Sequence, residues 1–585
     1  MSATSTGIGT SNGKVVPAAF PPRVDSPKEF VKRGLDPEDE LIEVGVAIVG
    51  GGTAGLACAN RLLQLLADDP DLMERLGEVP VAVIEKAKTC GGHNLSGAVM
   101  RPGPLQELFP ELTREDWRKE GFAFGEVTKE AVYMTPTSKL ALRVPTPPPF
   151  KNHGNEIVSV SALARYQQRQ AEEGGAYVLT ETSATQLIVE EGRVVGVRSG
   201  DKGRGKDGEP LGNFEPGTDI KAKCVVLAEG CWGHLTGAAI REFDLADGRE
   251  PQVWELGVKE VWKVPRPLDR LIHTVGPWPA KISGKYGQVG GTWLYPMKDE
   301  RTGEHLVSIG FVIGLEYADA TTSPHDLLQT FKLHPFVRKI LAGGERVAWG
   351  AKALPGGGYW SMPKLSMPGA VIVGDAGGMV DTAALKGVHH CINSGKLAAE
   401  AIFRGLKNGE TSFESYEYMI EDSLTGRELY EVRNLRQPFQ KGFLKGGPIV
   451  NLAIATRGKL PPGRLAWHRN DEKPMFIGNT HKRYPRPDGR YTFDKLSSVF
   501  ITGNATRDDA PNHIRVQKHV PREVAETWKW MCPAGVYEIP EDAPESGPVD
   551  VIVNYTNCVQ CGAITAKGGR LTTPEGGDGP LYQIT

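Results

Sequence analysis

"VGVAIVGGGTAGLACANRLLQLL", residues 44–66, is the stretch from which the fold is read. Val44 to Val49 form a β-branched apolar run that predicts a buried parallel strand. Gly50, Gly52 and Gly55 follow at once, and Leu56, Leu62 and Leu65 then recur at helical spacing. G-x-G-x-x-G between a strand and a helix makes a tight turn, lets the backbone approach a pyrophosphate and points the helix N-terminus at it. Thr53 and Ala54 open that helix and join the glycines as candidate binding residues. A second strand, "VAVIEK" at 81–86, ends in Glu85, placed to accept hydrogen bonds from ribose hydroxyls, with Lys86 beside it. The insertion "ADDPDLMERLGEVP" lengthens the spacing between them. The competing reading of Glu85 is a solvated strand-end carboxylate.

Two later segments separate a flavin from a nicotinamide. "KCVVLAEGCWG", 223–233, is a buried strand closing on Gly230. Residues 369–402 read as a strand, the Gly374–Asp375 turn, Gly387 and a long helix, an arrangement that aims Asp375 at ribitol hydroxyls and a helix N-terminus at the flavin. Nicotinamide enzymes need no such third element, so FAD is the expected cofactor. His389 and His390 on that helix are read as packing or solvated rather than catalytic. Residues 250–345, with "LGVKEVWKVP", "GQVGGTWLYPM" and "HLVSIGFVIGLEYA", predict an antiparallel sheet inserted over the cofactor. Gly290 and Gly291 fall inside one of its strands, where glycine marks a bulge or the close approach of a ligand.

Pro-rich, charged segments at 460–495 predict a boundary, after which come "MCPAGVYEI" and "NCVQC". Cys532-Pro533 and the Cys558-x-x-Cys561 pair resemble a ferredoxin-type ligand set, but the next position in the rhythm is Ile564. Several readings compete: a 3Fe-4S cluster on three cysteines, a 4Fe-4S cluster borrowing oxygen from Thr565, an Asp or solvent, or a metal-free relic. Zinc lacks a histidine partner after Cys532, and a thioredoxin-like motif lacks its βαβ setting.

The 585-residue chain is 40% hydrophobic, and 68 basic against 71 acidic residues leave a net charge of -3, which excludes the basic surplus of nucleic-acid binders. Eight cysteines are too few for a disulfide scaffold. The N-terminus shows neither a secretory h-region nor an Arg-rich transit pattern, and residues 1–43 are expected to be a mostly flexible leader. No run of 18 apolar residues occurs, while 437–459, apolar at its centre and flanked by Lys441, Lys445, Arg457 and Lys459, is a candidate membrane-surface segment or a core segment with solvated ends.

From Val44 onward the chain resembles the electron transfer flavoprotein:ubiquinone oxidoreductase family. The resemblance rests on "VIEKAKTCGGHNLSGAVMRPGPLQELFP", "NHGNEIV", "LAEGCWGHL", "LGVKEVW", "HTVG", "HPFVRKILAGGERVAWGAKALPGGGYWSMPKLSMPG", "FDKLSSV", "CPAGVYE", "NCVQC" and "PEGGDGP", in the family's order. It implies an α/β plus α+β architecture: a Rossmann-like FAD-binding domain (44–249 and 346–460), an inserted antiparallel-sheet quinone-binding domain (250–345) and a ferredoxin-like iron-sulfur domain (461–585). It implies a quinone, ubiquinone or menaquinone, near Gly290 and Gly291, and a cluster, 4Fe-4S in the family, on Cys532, Cys558 and Cys561. Electron transfer flavoprotein is the implied donor, and the implied place is the cytoplasmic face of the inner membrane, held peripherally. No side chain is marked for acid-base catalysis. The chain departs from the family at Ile564, where the fourth cysteine is due, and in the charged interruptions of 437–459. The alternative expectation is an FAD-dependent reductase or monooxygenase of a lipid-like substrate, with a vestigial cluster domain.

Overall fold

The computed structural model describes residues 10–11, 14–22, 27–36, 40–281 and 286–585. The expected run Val44–Val49 forms the inner part of the strand Leu41–Val49, and the helix Thr53–Ala67 begins right after the glycines. This strand lies inside a nine-stranded sheet, whose main path runs Tyr177–Leu179, Val81–Ile84, Leu41–Val49, Asp219–Leu227, Arg193–Ser199, Ala184–Glu190 and Val31–Arg33. The first four are mutually parallel. Asp219–Leu227 pairs with Arg193–Ser199 over its first half and, in parallel, with Ala370–Ile372 over its second. The carboxyl ends at Val49, Ile84, Leu227 and Ile372 therefore open toward one crevice, where open α/β sheets bind ligands.

Helices Thr53–Ala67 and Val388–Lys407 cross closely over this sheet. A Cβ at Gly395 would meet the Ala54 carbonyl at 2.1 Å, so only glycine permits the approach. Beneath them Val46, Ile48, Leu62, Val83, Val226 and Ile372 form a dry core.

The expected flexible leader is corrected in part. Val31–Arg33 is a strand paired in parallel with Ala184–Glu190, held because Phe30 and Val31 bury in that core. The rest of that expectation falls partly on 1–9, 12–13, 23–26 and 37–39, outside the described residues.

A second, seven-stranded sheet stands over the crevice in the order Glu345–Pro355, Trp254–Lys263, His305–Gly314, Gly290–Lys298, Leu271–Val275, Glu130–Met134 and Leu142–Val144. It reaches outside the expected 250–345 interval on both sides. Glu130–Met134 and Leu142–Val144 come from the first segment, Glu130–Met134 adding in parallel to Leu271–Val275. The last strand runs on to Pro355.

Lys332 and Glu260 pair at 2.7 Å behind this sheet with neither side chain exposed. Glu260 also accepts from Trp262 Nε1 and Gln329 Nε2. The C-terminal residues form short two-stranded ladders, the helix Arg522–Met531 and the 3-10 turns Tyr555–Asn557 and Ala563–Lys567. They share one core with the inserted sheet: Trp262, Phe331 and Trp349 pack in the same cluster as Val524, Trp528, Cys532 and Ile564.

Candidate active site: a nucleotide-type cavity beside a cysteine pocket

The crevice is a cavity of about 280 Å³. Gly50, Gly52, Thr53, Ala54, Glu85, Lys86, Gly230, Asp375 and Gly387 line it together, though they are spread over some 340 residues of sequence. Gly55 and Gly374 lie just behind the wall, where added Cβ atoms would meet Gly50 O at 2.2 Å and Ala54 Cβ at 2.8 Å.

The glycine turn is built for backbone approach. Gly50 has φ +111°, and a Cβ there would meet Ala228 O at 2.4 Å. The Glu85 carboxylate accepts from Gly51 N at 2.7 Å and from Ala87 N at 2.8 Å, which fixes it at the mouth of the turn. Helix Thr53–Ala67 has Gly52 at its N-cap and no side chain capping its amides, so its positive end faces the cavity.

Two lysines add charge that the chain itself does not neutralise. Among the described residues neither Lys86 nor Lys352 stands in an ion pair; Lys352 Nζ donates to Gln560 O at 3.1 Å. Burial and the neighbouring Lys352 bring Lys86 down to about 8, against the pull of Glu85 and Glu229. Unpaired cations beside a capless helix N-terminus and a glycine turn fit a diphosphate. Burial raises Asp375, whose Oδ1 accepts from Cys391 Sγ at 3.3 Å, and also Glu229, which accepts from Thr236 N and Leu235 N. The donor set fits a flavin dinucleotide: a ribose-type carboxylate, a diphosphate cradle and a second carboxylate at the far strand end.

The sheet above offers a smooth face. Lys352, Gly257, Val312 and Gly291 stand opposite one another across four strands, and the first three line the cavity. Gly290 and Gly291 are not in the wall. Gly291 extends this row outward, and Trp293 and Tyr295, on the same face of its strand, do line the cavity. In the next row Trp293 lies over Gly310, where a Cβ would meet its ring at 2.0 Å. Lys259 donates to Ser96 O at 2.8 Å from the same face.

Sequence reasoning missed Lys352, Trp293, Tyr295 and Lys386 in the wall. Strand alternation carries the signal for the first three, but register is needed to use it. Lys386 Nζ donates to Ala384 O at 3.0 Å, and burial brings it down to about 8.

Cys532, Cys558 and Cys561 line a separate, smaller pocket with Val536, Tyr537 and Ile564. Backbone amides donate to the sulfurs, Ala534 N and Val536 N to Cys532 at 3.4 and 3.5 Å and Gln560 N to Cys558 at 3.3 Å. Burial pushes Cys561 up to about 12 and raises Cys558, so thiolates here need a cation to form. Among the described residues only His389, His390 and Glu428 bring three metal-type ligand atoms within 4.8 Å of one another, so the three sulfurs are spaced wider than a single ion would gather them. Wide spacing, amide donors and an apolar shell fit an iron-sulfur cluster on three cysteines. Ile564, where a fourth cysteine is due, lines the same pocket and is buried, its Cγ1 2.5 Å from the position of a Cβ on Gly569.

The two pockets abut. Gly562 and Leu571 line both, Cys561 O accepts from Ala353 N at 2.8 Å, and Trp232 covers Gly562 while stacking on Trp254 at 3.7 Å.

The expected packing role of His389 and His390 fits their contacts. Their ring centroids lie 3.9 Å apart with the planes tilted by 39°, and burial together with Arg101 and Lys386 holds both neutral. Arg101 also pairs with Glu428, so two cations face the trio and disfavour a metal dication there.

Family comparisons agree with this geometry. Residues 254–354 match a model described as ETF-QO, ubiquinone-binding, and residues 489–583 one described as electron transfer flavoprotein-ubiquinone oxidoreductase, 4Fe-4S. The chain is 36% identical to the mitochondrial electron transfer flavoprotein-ubiquinone oxidoreductase of Caenorhabditis elegans, covering 92% of this chain and 91% of that one. It is 35% identical to the Bos taurus enzyme (98% and 94%) and 36% identical to the Homo sapiens enzyme (95% and 92%). Among solved structures, a geranylgeranyl bacteriochlorophyll reductase-like protein from Thermoplasma acidophilum aligns with a TM-score of 0.51 at 18% identity, covering 72% of this chain and 92% of that chain, a likeness of fold.

Proposed function

The chain belongs to the electron transfer flavoprotein-ubiquinone oxidoreductase family, and from that premise we propose that it takes electrons from reduced electron transfer flavoprotein and delivers them to a membrane quinone. The observation that carries the reading is the shared wall: Gly562 and Leu571 belong both to the nucleotide-type cavity and to the three-cysteine pocket. When bound, FAD and an iron-sulfur cluster supply one-electron exchange and two-electron storage side by side.

The chain's own residues bind and orient. Glu85 holds a ribose, Lys86, Lys352 and the Thr53–Ala67 N-terminus neutralise the diphosphate, and Asp375 meets the ribitol. Cys532, Cys558 and Cys561 would hold the cluster, and Ile564 would supply no fourth thiolate to it. The row through Gly257, Val312 and Gly291 gives a flat quinone head group a path to the cavity, with the Gly290 and Gly291 backbone orienting it; ubiquinone and menaquinone both suit such a surface.

No described helix is long and apolar enough to cross a membrane. Peripheral contact is assigned to the helix Phe443–Ala455 and its surroundings, where Leu452 and Leu460 are exposed beside Lys445, Arg457 and Lys459. The inner membrane, on its cytoplasmic face, is the proposed location.

The test is anaerobic stopped-flow mixing of the purified protein with reduced electron transfer flavoprotein and a short-chain ubiquinone. Quinol formation that depends on the flavoprotein is expected. Turnover with NAD(P)H and none with the flavoprotein would refute the reading and favour the reductase or monooxygenase alternative.

A further inference from the structure

The second sheet and the cysteine pocket are joined along one strand edge. Glu345–Pro355 is the outermost strand of the seven-stranded sheet, so one row of its backbone groups has no strand to pair with. C-terminal residues take up that row. Ala353 N donates to Cys561 O at 2.8 Å, and Ala351 N donates to Tyr582 Oη at 3.2 Å. Lys352, between them in sequence, donates from Nζ to Gln560 O at 3.1 Å.

Gln560 stands between Cys558 and Cys561 with φ +50°, a left-handed conformation that a residue with a Cβ keeps only when its surroundings impose it. Three contacts impose it here. Lys352 Nζ and Ala353 N hold the successive carbonyls of Gln560 and Cys561, and Gln560 Nε2 donates to Asp578 O at 3.1 Å. The conformation sets Gln560 N on Cys558 Sγ at 3.3 Å, so a single residue separates the Lys352 ammonium from a sulfur of the cysteine pocket.

The same ammonium belongs to the other pocket, since Lys352 lines the nucleotide-type cavity. Burial raises the Asp375 carboxyl and the Cys231 thiol in that wall, and Lys352 pulls both back. Among the described residues no carboxylate pairs with Lys352. Trp232, stacked on Trp254 at 3.7 Å, packs over Gly562 in the seam between the pockets. A charge beside so apolar a seam is screened far less than one at the surface. An electron arriving in either pocket is a new negative charge, and Lys352 lowers its energy. A bound diphosphate does not cancel that effect, because it carries the same charge before and after the electron arrives.

We propose that Lys352 is a shared electrostatic positioning residue, one ammonium that makes both the flavin and the three-cysteine cluster easier to reduce. The proposal rests on the two cofactors read into these pockets above. Lys352 is neither oxidised nor reduced, and no bond to it changes; it acts through its charge.

The test titrates the full-length holoprotein and its Lys352→Met and Lys352→Arg variants with dithionite and mediators, following the cluster by low-temperature EPR and the flavin by absorbance. Iron, flavin per chain and the thermal midpoint are measured on the same samples. Lys352→Met is expected to lower both midpoints, the cluster's by roughly tenfold in its equilibrium constant of reduction, which a one-electron couple reads as about 59 mV. Lys352→Arg, which keeps a charge and donors, is expected to hold both near the wild-type values. Flavin-stripped wild type and Lys352→Met are titrated as well, so that weaker flavin binding by the variant leaves the cluster comparison intact.

A wild-type cluster midpoint in Lys352→Met would overturn the proposal. So would an equal fall in Lys352→Arg, which would trace the shift to the shape of the loop. Loss of iron from a folded Lys352→Met protein would overturn it too, by making Lys352 a clamp alone. Wild-type protein without iron and acid-labile sulfide would instead sink the reading of the three-cysteine pocket as a cluster site, and the shared charge with it.

Discussion

Replacing Gly257 by valine separates the cavity's chemistry from the stability of its wall. A Cβ on Gly257 would sit 3.6 Å from Lys352 O, 3.7 Å from Val312 Cγ2 and 3.9 Å from Leu354 Cδ2, ordinary contacts that need no backbone shift. A β-branched residue in mid-strand also restricts the unfolded chain, a gain of about 0.5–1 kcal/mol over glycine. The fold is therefore expected to keep its thermal midpoint or to gain slightly. Gly257 lines the cavity, however, and the added methyl groups stand where a flat ring would lie. Overpacking of that kind costs ~1–3 kcal/mol, which at tenfold per ~1.4 kcal/mol is roughly a 5- to 150-fold loss of affinity for whatever occupies that part of the cavity. The assay pairs flavin released per chain, read by absorbance after heat denaturation, with the quinone KM and a thermal melt. Wild-type flavin content together with an unchanged quinone KM would refute the placement of either ligand under this row.

Lys332→Met leaves Glu260 buried without its closest cation and should cost ~3–5 kcal/mol in urea unfolding, while Lys332→Met with Glu260→Leu should recover most of that loss. Lys259, which burial brings down to about 7, binds fewer protons folded than unfolded between that pH and its ordinary 10.5. Its penalty is thus complete below pH 7 and fades as pH rises, so Lys259→Met should stabilise the apoprotein by roughly 3–5 kcal/mol at pH 6.5 and progressively less toward pH 9.5, as measured by urea melts across that range. Ile564→Cys supplies the absent thiolate. Iron analysis after ferricyanide treatment and desalting should show the wild type losing one iron that the variant retains, and equal losses would place the open iron position elsewhere.

The glycine turn was legible because two of its three motif glycines, Gly50 and Gly55, face backbone atoms that a Cβ would strike, a constraint written into a dozen consecutive residues. Glu85, Asp375 and the cysteines were legible for a related reason: each stands at a fixed offset from a strand or from a partner cysteine. Lys352 and Trp293 were not, since their place depends on which strand lies next to which and in what register. The recruitment of Glu130–Met134 into the second sheet is equally invisible locally, because nothing in that segment names Leu271–Val275 as its neighbour. Val31 was hidden differently, as an apolar residue in a Pro-rich, charged context whose burial is decided by the sheet edge it meets. The shared core of the inserted sheet and the C-terminal residues blurs the boundary expected near 460, since Trp528 and Ile564 pack with Trp262 rather than apart from it.

The cavity's far wall also has a history in time. Gly50 to Ala54 begin it, and Gln560, Gly562, Leu571 and Thr573 complete it about 500 residues later. At ~5–20 residues per second of synthesis, roughly 25–100 s separate the emergence of the two sides. Through that interval the nucleotide half has an open flank, because the residues that complete its wall are still to be made.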